Sequence, residues 1–366
     1  MDSKEKDKED CRSMDVIEKS GEMAVCLLAW YDANKRDLPW RRDPTPYHVW
    51  LSEIMLQQTR VQAVLGYYAR FLSALPDIAA LAAAPQEQYQ KLWEGLGYYS
   101  RVNNLHRAAV KIMKEYGGEM PGRAEELALL PGIGPYTSAA IASIAFGEAV
   151  PAVDGNLLRV FARMSSYGDN IREPAALKAA KAWFQERIPQ DRPGDFNQAL
   201  MDLGSLVCVP KEMPKCGECP LSALCQAHLE GREMELPVMP AKKKRRMEER
   251  TIFLIRCRNE IALQQRPARG LLAGLYEFPC AQGKLTRDEA VAFVRSLGFS
   301  PVRIRELPGA KHIFTHIEWQ MTGYEVLVDD AVMPASVFLT DRADLEGRYA
   351  VPSAYHVYKE IALADL

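Results

Sequence analysis

Leu130-Pro-Gly-Ile-Gly-Pro-Tyr-Thr-Ser138 decides how the chain is read. The residues before it, RAEELALL (123–130), have helical spacing, and those after it, AAIASIAF (139–146), form an apolar helix candidate. Glycine and proline between two helices describe a hairpin. Gly132 and Gly134 carry no side chain, so backbone N–H groups and the positive end of the following helix can approach a phosphate. Such a hairpin grips a nucleic-acid backbone without reading its bases. Taken alone, the same residues equally describe a tight turn between two packed helices.

Outward from the hairpin, residues 21 to about 231 keep a helical pattern. MAVCLLAWYDANK (23–35), WLSEIMLQQTRVQAVLGYYARFLSAL (50–75), EQYQKLWEGLG (87–97) and RVNNLHRAAVKIMKEYGG (101–118) repeat apolar residues every three or four positions. ELPVMPAKKKRRMEER (235–250), with two prolines and a basic run from Lys242 to Arg246, reads as a linker. Beyond Glu249 the texture changes. TIFLIRC (251–257), IALQQR (261–266), PVRIREL (301–307) and WQMTGYEVLV (319–328) are short β-rich runs, accompanied by helix candidates at 286–298 and 353–364. The expected fold class is an all-helical domain joined to an α+β domain. Its expected divisions are a disordered tail (1–20), the helical domain (21–233), the linker (234–249) and the α+β domain (250–366).

Composition limits the alternatives. With 366 residues, two domains of ordinary size are expected. No apolar run approaches the ~18 residues that span a bilayer, and the tail MDSKEKDKEDCRSMD has no apolar signal core. Membrane and secreted classes are therefore not expected. The net charge of −2 lends no bulk attraction to nucleic acid, so any such contact must use local basic patches and backbone N–H groups.

Four of the eight cysteines, Cys208, Cys216, Cys219 and Cys225, fall within 18 residues as Cys-x7-Cys-x2-Cys-x5-Cys. Without a signal segment, that spacing points to a metal in a reducing compartment rather than to disulfides. Four thiolates suit Zn²⁺ or a [4Fe–4S] cluster. One Cys-x2-Cys pair flanked by lone cysteines favours a cubane wrapped by a single loop, and zinc stays open on spacing alone. Lys211 and Lys215 lie inside the first interval, where a rigid loop could offer them to phosphates.

Two carboxylates stand in helical contexts. Trp50, Ile54, Val61, Leu65 and Tyr68 trace an apolar face, with Glu53 and Gln57 along its margin. A carboxyl at the edge of burial can keep its proton for acid catalysis. Asp154 starts a helix in AVPAVDGNLLRVFARM, either as a simple N-cap or as a fixed anion that stabilises developing positive charge. Together with a DNA-gripping hairpin, the pair suggests cleavage of a glycosidic bond. Aromatic and basic residues gather in Leu38-Pro-Trp40-Arg41-Arg42 and in Gly95-Leu-Gly-Tyr98-Tyr99-Ser-Arg101, which read as loops able to stack on or wedge between bases. In the last domain GLLAGLYEFP (270–279) and HIFTHIEW (312–319) stand out against a Nudix-like pattern, but the 286–298 helix lacks the paired glutamates that bind Mg²⁺. Recognition is expected there rather than pyrophosphate hydrolysis, and His312 and His316 are read as non-metal residues.

In this order, LPWRRDPTPYHVWLSEIMLQQTRV, WEGLGYYSR, LPGIGPYTSAAIAS, AVDGNLLRV, the cysteine loop, GLLAGLYEFP and FTH resemble the MutY family of adenine DNA glycosylases over nearly the whole chain after the tail. The resemblance implies a helix–hairpin–helix catalytic domain with a [4Fe–4S] loop and a Nudix-like C-terminal domain. The implied substrate is adenine mispaired with 8-oxoguanine, or guanine, in duplex DNA, removed by base flipping. Glu53 would protonate the departing adenine and Asp154 would steady the cationic sugar, with Tyr136 and Asn156 orienting them. Trp40, Arg41 and Leu56 match pocket positions. Gln58, Thr59, Leu96, Gly97, Tyr98 and Gln198 match contacts around the opened pair, and Phe314-Thr315-His316 matches the lesion-reading loop. Cys208, Cys216, Cys219 and Cys225 would hold the cluster. Relatives that act as lyases place a lysine where this chain has Tyr136; without an amine no Schiff base forms, and water is the expected nucleophile. A monomer in the cytoplasm, associated with the nucleoid, is expected. Two departures from the family pattern stand out: seven residues in the first cysteine interval instead of six, and Thr315 in place of serine. The competing readings are a lyase on oxidised pyrimidines and a non-catalytic iron–sulfur lesion binder.

Overall fold

Helix punctuation in the sequence translates directly into local structure. A computed structural model describes residues 21–240, 245–331 and 337–364; the tail expected over 1–20 and the lysines 242–244 of the basic run lie outside the described residues. The helices are α1 (21–34), α2 (Pro39–Arg42), α3 (Pro46–Leu56), α4 (Val61–Ala74), α5 (Ile78–Ala83), α6 (Gln86–Leu92), α7 (Ser100–Glu115), α8 (Ala124–Leu127), α9 (Pro135–Phe146), α10 (Gly155–Met164), α11 (Pro174–Gln185), α12 (Pro193–Leu206) and α13 (Gln226–Leu229). Proline opens α2, α3, α9, α11 and α12, where its missing N–H costs nothing, and α9 stops at Gly147 with φ 74°. None of these helices is long and apolar enough to cross a membrane among the described residues.

Three expectations differ from the structure. The stretch 50–75 is not one helix: α3 ends at Leu56, and Gln58 takes φ 57° before α4 starts. Nor is α3 amphipathic, since Tyr47 and every residue from Val49 to Met55 are buried. Leu38–Arg42 is likewise no loop, because Pro39–Arg42 makes one helical turn with Trp40 buried.

Among the described residues, those up to Gln58 join those from Ala108 to 240 in one compact unit. In this unit α12 lies against α9 so closely that a Cβ on Gly194 would stand 2.7 Å from the Ser143 carbonyl, which only glycine permits. The buried Asn197 joins them to the following chain: its Nδ2 donates to Ser143 Oγ (2.8 Å) and to the Val150 carbonyl (2.9 Å), and its Oδ1 accepts from Ala152 N–H (3.0 Å). This fully satisfied polar node fixes the entry to α10.

Thr59–Arg107 join the residues from 245 onward in the second unit. It contains β1 (Arg246–Cys257), β2 (Glu260–Gln265), β3 (Tyr276–Glu277), β4 (Cys280–Gln282), α14 (Arg287–Ser296), β5 (Phe299–Ile313), β6 (Ile317–Ala331), β7 (Val337–Thr340), α15 (Arg342–Gly347) and α16 (His356–Ala364). β1 thus begins inside the stretch read as linker. The strands order as β3-β2-β1-β6-β5, with β4 on β1 and β7 on β2, and β1 runs parallel to β6. Ile252 and Leu254 pack with Trp319 and Tyr358 of α16, whereas Phe253 and Ile255 pack with Ala290 and Val294 of α14. The strand alternates between two covered faces, which is why all seven residues of TIFLIRC are buried. At the tip of the β5–β6 hairpin sit Phe314, Thr315 and His316.

Candidate active site

The carboxyl of Glu53 lies inside the first unit, only 6% exposed, because α3 packs against α9. Tyr136, in the first turn of α9, donates its O–H to Glu53 Oε2 at 2.9 Å, and the same hydroxyl lies 3.8 Å from Met201 Sδ. Burial pushes the Glu53 carboxyl up to about 7; the Tyr136 bond and the Arg41 charge oppose that rise, and the Asp154 charge adds to it. A carboxyl in that state is half protonated near neutral pH. Burial and the facing carboxylates raise Tyr136 well above its ordinary range, so it stays a phenol and a donor.

Asp154 takes the N-cap role that the sequence allowed. It caps α10, with Oδ1 accepting from the N–H groups of Asn156 and Leu157, each at 2.8 Å, and Oδ2 accepting from Asn156 Nδ2 at 3.1 Å. Burial raises its carboxyl, while the two backbone donors and Arg159 lower it. Arg159 extends the chain of bonds: its Nη2 donates to Asn156 Oδ1 (3.0 Å) and to the Gly204 carbonyl (2.6 Å), and its Nε to the Cys208 carbonyl (2.8 Å). Asp154, Asn156, Arg159 and the first cysteine are thereby one hydrogen-bonded series.

Trp40 is buried and Arg41 is anchored rather than free. Arg41 donates Nη1 to Asp202 Oδ2 (2.7 Å) and Nη2 to Oδ1 (2.9 Å), beside the ring of Tyr31, and Arg36 pairs with the same carboxylate. Arg36, Arg41 and Gln198 line a cavity of about 580 Å³. Sequence reading missed Asp202 and Arg36. The available signal was an acid set within the otherwise apolar turn ALMDLG of α12. Leu56 ends α3, half-buried. At the hairpin, Gly132 has φ 78°, which favours glycine, but Gly134 has φ −90° and nothing within 4 Å of a Cβ. No side-chain hydrogen bond caps α9 among the described residues, so its first N–H groups have no side-chain acceptor.

In the second unit, Gly95 (φ 95°), Gly97 (φ 76°) and Tyr98 (φ 49°) form a tight loop. Arg101, which the sequence did not single out as a site residue, holds it: Nη2 donates to the carbonyls of Leu96 (3.2 Å) and Gly97 (3.0 Å) and to Thr59 Oγ1 (3.3 Å). The hydroxyls of Tyr98 and Thr315 lie 3.0 Å apart, although 217 positions separate them. Tyr98, Phe314, Thr315 and His316 line one cavity of about 800 Å³. Phe314 itself turns partly into the core, edge-on to Trp319 (4.8 Å). His312 sits against Phe314, and no metal-ligand group among the described residues includes it or His316.

The four cysteines form no disulfide and line one cavity. Burial pushes the Cys219 thiol up to about 12, with the other cysteines adding to the rise, and Arg163 Nη1 donates to Cys208 Sγ at 3.2 Å. Four cysteine sulfurs lining one cavity are a donor set that fits a four-thiolate metal group. The long first interval is taken up by a left-handed turn at Lys211 (φ 70°), and Lys211 and Lys215 are both exposed.

Residues 51–186 match the model of the HhH-GPD superfamily of base excision DNA repair proteins, and residues 251–360 match the NUDIX domain. Adenine DNA glycosylase of Mus musculus is 37% identical over 372 residues, covering 85% of this chain and 71% of that protein. The Homo sapiens counterpart is 37% identical, covering 80% and 64%, and that of Schizosaccharomyces pombe is 32% identical, covering 87% and 85%. A thermostable thymine-DNA glycosylase superposes with a TM-score of 0.52 at 29% identity, over 58% of this chain and 98% of that one.

Proposed function

Since the chain belongs to the adenine DNA glycosylase family, a base excision repair family that hydrolyses N-glycosyl bonds in DNA, we propose that it removes adenine mispaired with 8-oxoguanine or guanine. The observation that carries the reading is the buried Glu53 carboxyl, which accepts the Tyr136 hydroxyl at 2.9 Å.

In the proposed reaction, the adenine is flipped from the duplex into a pocket to which Trp40, Arg41 and Leu56 would contribute; extrusion costs a few kcal/mol of stacking. Glu53 gives its proton to the departing base as the bond from C1′ to the base nitrogen breaks, and the bonding pair leaves with adenine. The sugar becomes an oxocarbenium ion. The Asp154 carboxylate, whose oxygens accept from three N–H donors, would oppose that charge. The Glu53 carboxylate then takes a proton from water as its oxygen bonds to C1′, which regenerates the acid and leaves an abasic site. Asn156 orients Asp154, and Tyr136 orients Glu53. Gly132, Gly134 and the open N-terminus of α9 support contact with the DNA backbone. Gln58, Thr59, Leu96, Gly97, Tyr98 and Gln198 would surround the opened pair, and Phe314-Thr315-His316 would check for 8-oxoguanine.

Cys208, Cys216, Cys219 and Cys225 would hold a [4Fe–4S] cluster, which when bound would tie residues 208–225 into a rigid loop. We take the enzyme to act as a monomer on nucleoid DNA in the cytoplasm. Incubation with duplex containing adenine opposite 8-oxoguanine tests the reading. Free adenine and an intact abasic strand are expected, with no protein–DNA adduct on borohydride treatment. A trapped adduct would instead mark a lyase, and tight mismatch binding without base release would mark a binder.

A further inference from the structure

The cysteine cavity holds a donor pair that adenine release does not use. His228, on α13 just beyond Cys225, places Nδ1 2.5 Å from Glu233 Oε1. Glu233 is buried, 8% exposed. A ring nitrogen of His228, a carboxylate oxygen of Glu233 and the sulfur of Cys216 all lie within 4.8 Å of one another. His228 and Glu233 also line the same cavity as the four cysteines.

A carboxylate that accepts from one nitrogen of an imidazole fixes its tautomer and ring orientation, the arrangement usual behind a metal-bound histidine. Imidazole replaces thiolate on iron in known iron–sulfur centres. We infer that His228, oriented by Glu233, is a reserve ligand for the cluster corner held by Cys216. The inference rests on the [4Fe–4S] reading given above. When the Cys216 thiolate is lost, an Fe–N bond to His228 takes the place of the Fe–S bond to Cys216. No electron is transferred. A neutral donor replaces an anionic one, so the net charge of the site rises by one, which favours reduction.

The full chain, reconstituted with iron and sulfide, tests this in four forms: unsubstituted, C216A, C216A/H228A and C219A. Iron per chain and the electron paramagnetic resonance spectrum after mild ferricyanide oxidation are the readouts. The unsubstituted chain should hold about four irons. C216A should keep nearly as many, with an altered spectrum and a more positive reduction potential. C216A/H228A and C219A should fall to about three and give a three-iron signal. Equal iron and identical spectra in C216A and C216A/H228A would overturn the reserve ligand. Should C216A not fold, H228A alone decides: after ferricyanide, a chelator should strip its iron about threefold faster than from the unsubstituted chain, and equal rates refute the inference. An unsubstituted chain that binds zinc but no iron–sulfur cluster would overturn the cluster reading itself, a distinguishable failure.

Discussion

Replacing Glu53 with glutamine should stabilise the protein while disabling it, and the stabilisation should depend on pH in a defined sense. Burial raises the Glu53 carboxyl from 4.5 to about 7. Each pKa unit is worth about 1.4 kcal/mol, so ionised Glu53 costs the folded state about 3 kcal/mol. The sign follows from the raised folded value. Below the unfolded pKa of 4.5 both states are protonated and nothing is lost; as pH rises towards 7 the unfolded chain ionises first and stability falls; above 7 the loss is complete. Glutamine has nearly the same shape, carries no charge and still accepts the Tyr136 hydroxyl through its amide oxygen. E53Q should therefore exceed the unsubstituted chain by about 3 kcal/mol at pH 8 and by under about 1 kcal/mol at pH 5, measured by urea unfolding. Single-turnover adenine release should meanwhile fall by about 10²- to 10⁴-fold, the range for loss of a positioned acid. A stability difference that is the same at both pH values, or an undiminished rate, would refute the assignment of Glu53 as a buried acid.

Three further outcomes follow from the same geometry. In Y136F the hydrogen bond that lowers the Glu53 carboxyl is gone, so its pKa should rise; the alkaline fall of single-turnover adenine release, recorded against pH, should shift to higher pH. In G204A the new Cβ would stand 2.9 Å from Asn156 Cβ. The Asp154–Asn156 pair must then shift, and adenine release should slow about tenfold with mismatch affinity, measured by fluorescence anisotropy, unchanged. T315V keeps the shape of the side chain but removes the hydroxyl facing Tyr98. Preference for adenine opposite 8-oxoguanine over adenine opposite guanine should drop about fivefold in competing single-turnover assays, the worth of one hydrogen bond of about 1 kcal/mol.

Local chemistry made much of this molecule legible. The glycines and prolines of residues 130–138 mark a tight turn between two helices, because backbone conformation depends on near neighbours. Asp154 was readable as an N-cap for the same reason, since the donors it meets lie two and three residues ahead. The cysteine spacing placed all four sulfurs on one short loop. Helical period and strand alternation separated the two fold types near residue 250. The same period misjudged α3, for a helix covered on all sides by distant elements carries no stripe to read.

From the order of residues alone came the hairpin, the cysteine loop, the change from helix to sheet and the identity of the two carboxylates, all properties that neighbouring residues settle among themselves. Only the folded chain decided that Glu53 is fully enclosed with Tyr136, 83 positions away, as its donor. The fold likewise decided that Asp202 restrains Arg41 and that Tyr98 meets Thr315. The physical reason is that a pKa and a side-chain partner depend on what surrounds a group in space, and those surroundings arrive from remote parts of the chain.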